Sequence, residues 1–312
     1  MLITGGTGFI GHFLVKEFVQ DYHIICLVRP GTKNLIRLEQ FKNKIQIVEH
    51  DIRKPLFTKE FKDVKVILHA GGNPSSEASI KDPLSVVLDN VVGTTNLLEL
   101  SRNLKLDRFV YYGAAESFGP ITPGTNSYED DAYNSVSPYA ASKAGGEELC
   151  VAYSKTFNVP VSIIHIANTF GQMSQSNRLP VVAIKNILNN LPITFYANDE
   201  GSFGGRRWFH AEDVAHHTRF ILTHQRKHCE KWNSAGPNFI DNLEFVKIIS
   251  GLLNKDFTYN VKKIDRAGHD TYFSISPEKI YQRGWKPVFS LEERLEQTIE
   301  WYMQNPEWLE RQ

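Results

Sequence analysis

The sequence carries no excess charge of either sign, with lysine plus arginine and aspartate plus glutamate both numbering 35. That balance removes the electrostatic footprint expected of a nucleic-acid binder or of a protein seated on an anionic membrane. Cysteine is scarce: Cys26, Cys150 and Cys229 stand at no metal-ligand spacing and read as reduced, buried thiols. Histidine offers no metal cluster either. His216 and His217 are adjacent, so on a helix they point to different faces, with no suitably spaced carboxylate beside them. No metal is expected. Apolar runs stay short of the ~18 residues a membrane span needs. The first strand begins so near residue 1 that no signal peptide fits before it. Internal repeats, low-complexity segments and flexible linkers are lacking too. A soluble, cytoplasmic protein is expected, and 312 residues, 41% of them hydrophobic, suffice for one large domain or two joined ones.

What is present is organised around Leu2-Ile3-Thr4-Gly5-Gly6-Thr7-Gly8-Phe9-Ile10-Gly11, in which Gly5, Gly8 and Gly11 repeat every three residues. A short apolar run enters this stretch and an amphipathic run (Phe13, Leu14, Phe18, Val19) leaves it. The pattern predicts strand, tight turn and helix. Glycines allow the turn and let the N–H groups of Phe9, Ile10 and Gly11 approach a pyrophosphate at the helix's positive end. The bland alternative is a glycine-rich turn with no ligand.

His23 to Val28 reads as the second strand, ending in Arg29-Pro30-Gly31 with Lys33 beyond. An acid at that strand end bonds the ribose 2′-hydroxyl of NAD, whereas an arginine can pair with the 2′-phosphate of NADP. Arg29 therefore favours NADP over NAD, unless it is merely an exposed loop residue. Residues 45–48 form a third strand, after which Asp51, followed by Ile52, could reach the adenine amine. Val64 to His69 is a fourth strand, running into the small-residue loop Ala70-Gly71-Gly72-Asn73-Pro74 beneath the cofactor. Pro83 to Asn103 is a long helix carrying Asn90, Arg108 to Tyr112 a fifth strand, Ser137 to Thr156 a second long helix, and Val161 to Ile166 a sixth strand. This alternation predicts an α/β fold with a doubly wound parallel sheet.

Beyond Asn168 the elements shorten, with loops at 172–178 and 198–207. Phe209 to Leu222 is expected to return to the first lobe, and Asn242 to Leu253 and Leu291 to Met303 to be covering helices. The expected division is a Rossmann domain over 1–167 with a return segment at about 207–234, and a smaller substrate lobe over 168–206 and 235–312. The tail aromatics (Trp285, Phe289, Trp301, Tyr302, Trp308) read as core caps.

Tyr139 and Lys143, in Ser137-Pro-Tyr-Ala-Ala-Ser-Lys143, stand one helical turn apart and so on one face. A nearby ammonium lowers a tyrosine pKa toward the working pH. The phenol can then move a proton on or off a carbinol while hydride passes to or from nicotinamide.

Gly5/Gly8/Gly11, Tyr139/Lys143, Asn90 and Asp213 together resemble the extended short-chain dehydrogenase/reductase family, and within it the nucleotide-sugar epimerases and dehydratases. Asp265 to Asp270, and Gly284-Trp-Lys-Pro287, resemble the dTDP-glucose 4,6-dehydratase and GDP-sugar branches. The resemblance implies NAD(P)-dependent chemistry, usually at C4 of a nucleoside-diphosphate sugar, and a homodimer built on the two long helices. It implies diphosphate contacts at Arg206 and Arg266, with His269 close by, a substrate contact at Asn168, and a second cation at Arg207. It also exposes a gap. The family's Ser/Thr after the fifth strand falls on Ala114, which donates no bond, and the dehydratase Asp-Glu pair reads Ala115-Glu116. Losing one oriented donor costs on the order of 10²-fold or more in rate. Glu116 is left as a possible base, or as a carboxylate bonding local backbone. Ser117 stands too far along the chain to replace Ala114.

These features predict an NADP-linked keto-sugar reductase or epimerase, with Tyr139 as acid/base, Lys143 as its partner on the nicotinamide ribose, and Glu116 as a possible second base. The alternatives are an atypical 4,6-dehydratase that recycles NAD and a low-turnover NADP-binding sensor.

Overall fold

The computed structural model describes residues 1–32, 34–264 and 272–311. Lys33 and the segment containing Arg266 and His269 lie outside the described residues. The chain begins β1 (Leu2–Thr4), α1 (Phe9–Phe18), β2 (Ile24–Val28), β3 (Ile45–Glu49) and β4 (Val66–His69). It continues through α2 (Ser76–Lys81), α3 (Pro83–Val87), α4 (Gly93–Arg102), β5 (Arg108–Ala114), α5 (Pro138–Phe157) and β6 (Val161–Ile166). Then come β7 (Thr169–Phe170), α6 (Leu179–Leu188), β8 (Ile193–Ala197), β9 (Gly205–Arg206), β10 (Phe209–His210) and α7 (Ala211–His224). The last are β11 (Cys229–Ser234), β12 (Ile240–Asp241), α8 (Asn242–Leu253), β13 (Tyr259–Lys263), α9 (Glu278–Gln282) and α10 (Leu291–Gln304).

Seven strands form one parallel sheet in the order β3-β2-β1-β4-β5-β6-β11. Their residues alternate between its two faces, as the period of two requires. Ile3, Leu68, Val110 and Ile164 pack with α1 and α7 in one cluster. Their chain neighbours Leu2, Ile67, Phe109 and Ile163 pack with α4 and α5 on the other side. The predicted doubly wound α/β sheet is therefore what the chain forms. After residue 207, α7 packs on α1, and β11 adds a seventh strand beside β6.

A third cluster gathers Val181, Ile184 and Ile187 of α6, Phe245 and Ile249 of α8, Leu295, Ile299 and Tyr302 of α10, and Trp308. Trp285 instead joins the sheet cluster. Phe289 stays partly exposed with the Arg294 guanidinium 4.6 Å over its ring.

Two local features depart from the expected pattern. The predicted helix 83–103 is not uniform, because Leu88–Val92 winds as one π-helical turn between α3 and α4. The turn carries Asp89 and Asn90, both buried. Residues Asn34–Phe41 form a 3-10 helix that buries Arg37, Leu38 and Phe41.

Candidate active site

The glycine turn brings β1 directly to α1. Gly5 takes φ +72°, and a Cβ there would lie 2.7 Å from the Ala70 carbonyl and the Gly71 nitrogen. Gly11 has no room for a Cβ at all, because the Gly5 carbonyl oxygen already fills that space. The Gly8 N–H donates to Gly5 O at 2.8 Å, closing the turn. Gly8 caps α1 without any side-chain bond, so the first-turn N–H groups from Phe9 to Gly11 keep no capping acceptor. Such a helix start attracts an anion.

Beneath the turn runs a hydrogen-bond chain that the sequence reading missed. The Gly71 N–H donates to Thr4 Oγ1 (2.9 Å), which lies 2.8 Å from His69 Nδ1. His69 Nε2 lies 2.9 Å from Thr94 Oγ1, and that hydroxyl donates to the Asn90 carbonyl (2.6 Å). Because Thr94 donates onward, His69 must give it the Nε2 proton and accept from Thr4 at Nδ1. Burial, aided by the Lys143 charge, lowers the His69 pKa to about 3, so the ring stays neutral. The chain fixes the loop under the turn.

Asn90 works in the same framework. Its Oδ1 accepts from Asn73 N (2.7 Å), and its Nδ2 donates to Asn73 O (3.0 Å) and Ser142 Oγ (2.9 Å). Both polar ends are thus engaged by protein. Asn90, a candidate cofactor-binding residue by its place in the sequence, ties the loop after β4 to α5. The rim residues are also paired. The exposed Arg29 donates to Asp89 Oδ1 at 2.9 Å, so it is not the lone cation its position suggested. Asp51 is gripped by Arg53 through Nε (2.9 Å) and Nη2 (2.6 Å), which lowers its carboxyl to about 2. Its neighbour Ile52 packs over Gly93, where a Cβ would come within 2.8 Å of Cδ1.

The catalytic candidates converge at the carboxyl end of β5. Ser137 caps α5 by accepting from Ala140 N (3.1 Å), and Pro138 opens the first turn, which places Tyr139 at the helix start. Tyr139 packs directly against Ala114 and Val86. A methyl group therefore lies beside Tyr139 at the position where the family resemblance implies a hydroxyl. Ser117 is fully buried, with its hydroxyl turned to the Ala140 carbonyl (3.4 Å), and cannot stand in.

The electrostatics correct one expectation. Tyr139 has its pKa raised, first by burial and then by the Glu116 carboxylate, with Arg178 opposing. The Lys143 ammonium lies 4.3 Å over the Tyr111 ring, and burial pushes its own pKa down to about 8. Glu116 is pushed up by burial, against its own backbone N–H and the charges of Arg206, Arg178 and Lys143. The protein alone holds Tyr139 as a phenol.

On the facing side, Arg206 stacks over Phe273 at 4.0 Å and donates to Gly205 O. The buried Oδ1 of Asn168 accepts no hydrogen bond among the described residues. Arg207, expected as a second cation, is instead spent on structure. Its Nε donates to Asn126 Oδ1 and Ser274 Oγ, both at 3.0 Å, and its Nη1 to the Gly236 and Pro237 carbonyls.

Farther along α5, Glu147 is fully buried against His165 (2.8 Å), Lys231 (3.0 Å) and Tyr133. This network holds the helix one turn beyond Lys143. Its only signal in the sequence is a carboxylate at helical spacing after the Tyr-Lys pair.

A parallel sheet with a tight glycine turn at β1, facing a Tyr-x-x-x-Lys helix, defines a nicotinamide-dinucleotide enzyme of the extended short-chain dehydrogenase/reductase class. Within that class the chain belongs to the NAD dependent epimerase/dehydratase family, whose model matches residues 1–235. Along its length it is 29% identical to dTDP-glucose 4,6-dehydratase from Haemophilus influenzae, covering 98% of both chains. A dTDP-glucose 4,6-dehydratase from Streptomyces venezuelae, solved with NAD bound, superposes with TM-score 0.88 at 28% identity, over 99% of this chain and 98% of that one. A UDP-glucuronic acid 4-epimerase from Bacillus cereus shares the fold at TM-score 0.88 and 24% identity, over 97% and 99% of the two chains.

Proposed function

We propose that the protein modifies a nucleoside-diphosphate sugar at C4, as a keto-sugar reductase or an epimerase. The observation that carries this reading is the Tyr139/Lys143 pair at the start of α5, with Tyr139 packed on Ala114 at the carboxyl end of β5. A phenol that keeps its proton is suited to donating it to a carbonyl oxygen, which is the proton step of ketone reduction. A bound nicotinamide supplies hydride transfer. Lys143 would hold the nicotinamide ribose and Arg206 the substrate diphosphate, while the unpartnered Asn168 Oδ1 offers an acceptor to the substrate. Glu116 is the candidate second base. Arg266 keeps the diphosphate role its sequence context implies.

For the cofactor, the uncapped start of α1 and the glycine cradle that a Cβ would fill fit a dinucleotide. Arg29 and Arg53 support NADP. Asp89, 2.9 Å from Arg29, already neutralises that cation, and the Streptomyces relative was solved with NAD. We therefore place NAD ahead of NADP.

A dehydratase is the second reading, favoured by the full-length match to dTDP-glucose 4,6-dehydratases. Against it stands Ala115, which cannot protonate a departing hydroxyl. The test is product analysis by NMR, together with nicotinamide absorbance. The purified enzyme is given dTDP-, UDP-, GDP- and CDP-hexoses and their 4-keto-6-deoxy derivatives. Net consumption of reduced cofactor with a keto sugar establishes a reductase, and an inverted C4 at unchanged oxidation state an epimerase. In either case Tyr139→Phe should abolish turnover and keep cofactor binding. Loss of water across C5–C6 would overturn this reading in favour of the dehydratase.

A further inference from the structure

Arg37, in the 3-10 helix after β2, is 7% exposed, yet every acceptor it meets is neutral. Its Nε and Nη2 both donate to the Met173 carbonyl (3.1 and 2.9 Å), and its Nη1 to the Thr7 carbonyl (3.2 Å). The guanidinium carbon stands 5.2 Å from the Trp308 ring. Among the described residues no carboxylate lies within ion-pair distance of it. Burial lowers the Arg37 pKa first, Tyr302 opposes it, and Arg311 adds a second positive charge nearby. An arginine nevertheless stays charged in a protein. A buried cation without a counter-charge is costly, and carbonyl dipoles offset it only in part.

The place of this charge is informative. Thr7 lies inside the glycine turn, two residues before α1 begins. His12, one turn along, is buried with Nδ1 unpartnered, and burial and the Arg37 charge hold it down to about 4. It is therefore neutral and adds no balance. A full positive charge and an uncapped helix start thus meet at one turn, with no anion of the described residues paired to Arg37. Three of the five guanidinium N–H donors are committed to carbonyls, which leaves two.

We propose that Arg37 is the counter-charge for the diphosphate of the bound dinucleotide, held against the glycine turn by its bonds to Thr7 and Met173. The inference rests on the dinucleotide reading above and is indifferent to NAD or NADP, since both carry this group. The Met173 bond anchors the guanidinium from the substrate-side loop after β7, so the charge is preset before the ligand arrives.

Calorimetric titration of the intact protein with NAD, ADP-ribose and adenosine tests it without any turnover. Arg37→Gln should weaken NAD and ADP-ribose by roughly 10- to 100-fold and leave adenosine, which has no phosphate, unchanged. Arg37→Lys keeps the charge but cannot span both carbonyls. It should retain most of the diphosphate affinity even where its melting temperature falls. An equal loss on all three ligands for both variants would show a purely structural clamp and overturn the proposal. So would unchanged NAD affinity in Arg37→Gln. A wild-type protein that binds neither NAD nor NADP would instead overturn the dinucleotide reading, and this inference with it.

Discussion

In the proposed active site, Ala114 is the residue that departs most from the family resemblance. It is 3% exposed and in contact with Tyr139, so the phenol faces a methyl group where an oriented hydroxyl would share the reacting oxygen. A donor aimed at a developing oxyanion contributes more in the transition state than in the ground state, and its absence lowers the rate more than the affinity. Restoring it should therefore be visible in kcat. Ala114→Ser adds one oxygen beside Tyr139, little enough for a tight site to accept. We expect kcat to rise by about 10-fold or more, with KM within twofold, measured on whichever nucleotide sugar turns over. A flat or lowered kcat would mean that the reacting oxygen already has its donor elsewhere. The raised Tyr139 pKa has the same local origin, because burial and the Glu116 carboxylate both disfavour phenolate. Spacing alone could place Tyr139 and Lys143 on one face. It could not tell that the ammonium turns toward Tyr111 instead.

At the level of elements, the sequence was most legible where burial is two-sided. Strands such as Ile24–Val28 and Val161–Ile166 are apolar runs because helices cover both faces of the sheet. Asn242–Leu253 matches its predicted bounds residue for residue, with Asp241 capping it through Leu243 N and Asn254 ending it in the left-handed region. The π turn at Leu88–Val92 was not legible. It is sustained by contacts remote in sequence, Asn90 to Asn73 and Ser142, and Asp89 to Arg29. For the same reason the expected free Arg29 and free Arg207 both proved to be paired. Two-residue strands such as Thr169–Phe170 and Phe209–His210 exist only through pairing with each other, and no local propensity announces them. The glycine turn is the opposite case, since its spacing announces the close approaches within it, Gly8 N–H to Gly5 O and Gly11 against the Gly5 carbonyl. Gly11→Ala would drive a Cβ into the Gly5 carbonyl. The predicted outcome is a loss of roughly 1–3 kcal/mol of stability and a large fall in dinucleotide affinity. Thermal unfolding and calorimetric titration check the two halves. Unaltered affinity would show that the turn does not touch the ligand.

Across the whole molecule, the α6–α8–α10 cluster is joined to the sheet by side chains whose charges are buried at the seam. Arg294 of α10 is 3% exposed and reaches α7, donating to Asp213 Oδ1 at 2.5 Å and Glu212 Oε2 at 2.7 Å. Glu212 in turn takes Lys16 of α1 at 2.5 Å, so a chain of charge runs from α10 through α7 to the helix that opens on the glycine turn. Asp213, which marked the family resemblance, thus serves the junction between clusters and is 2% exposed. Removing one member of such a pair does more damage than the pair contributes, because the remaining charge is stranded without water. Arg294→Met keeps most of the volume and removes the cation. It should destabilise the protein by roughly 3–5 kcal/mol. Asp213→Asn alone should cost less, since Arg294 keeps Glu212, and the double variant should recover part of the Arg294→Met loss. Denaturant unfolding of the four proteins supplies the cycle. A loss under about 1 kcal/mol for Arg294→Met, the range of an exposed pair, would mean that water reaches Asp213 once the arginine is gone, and that the two clusters are held by apolar packing alone.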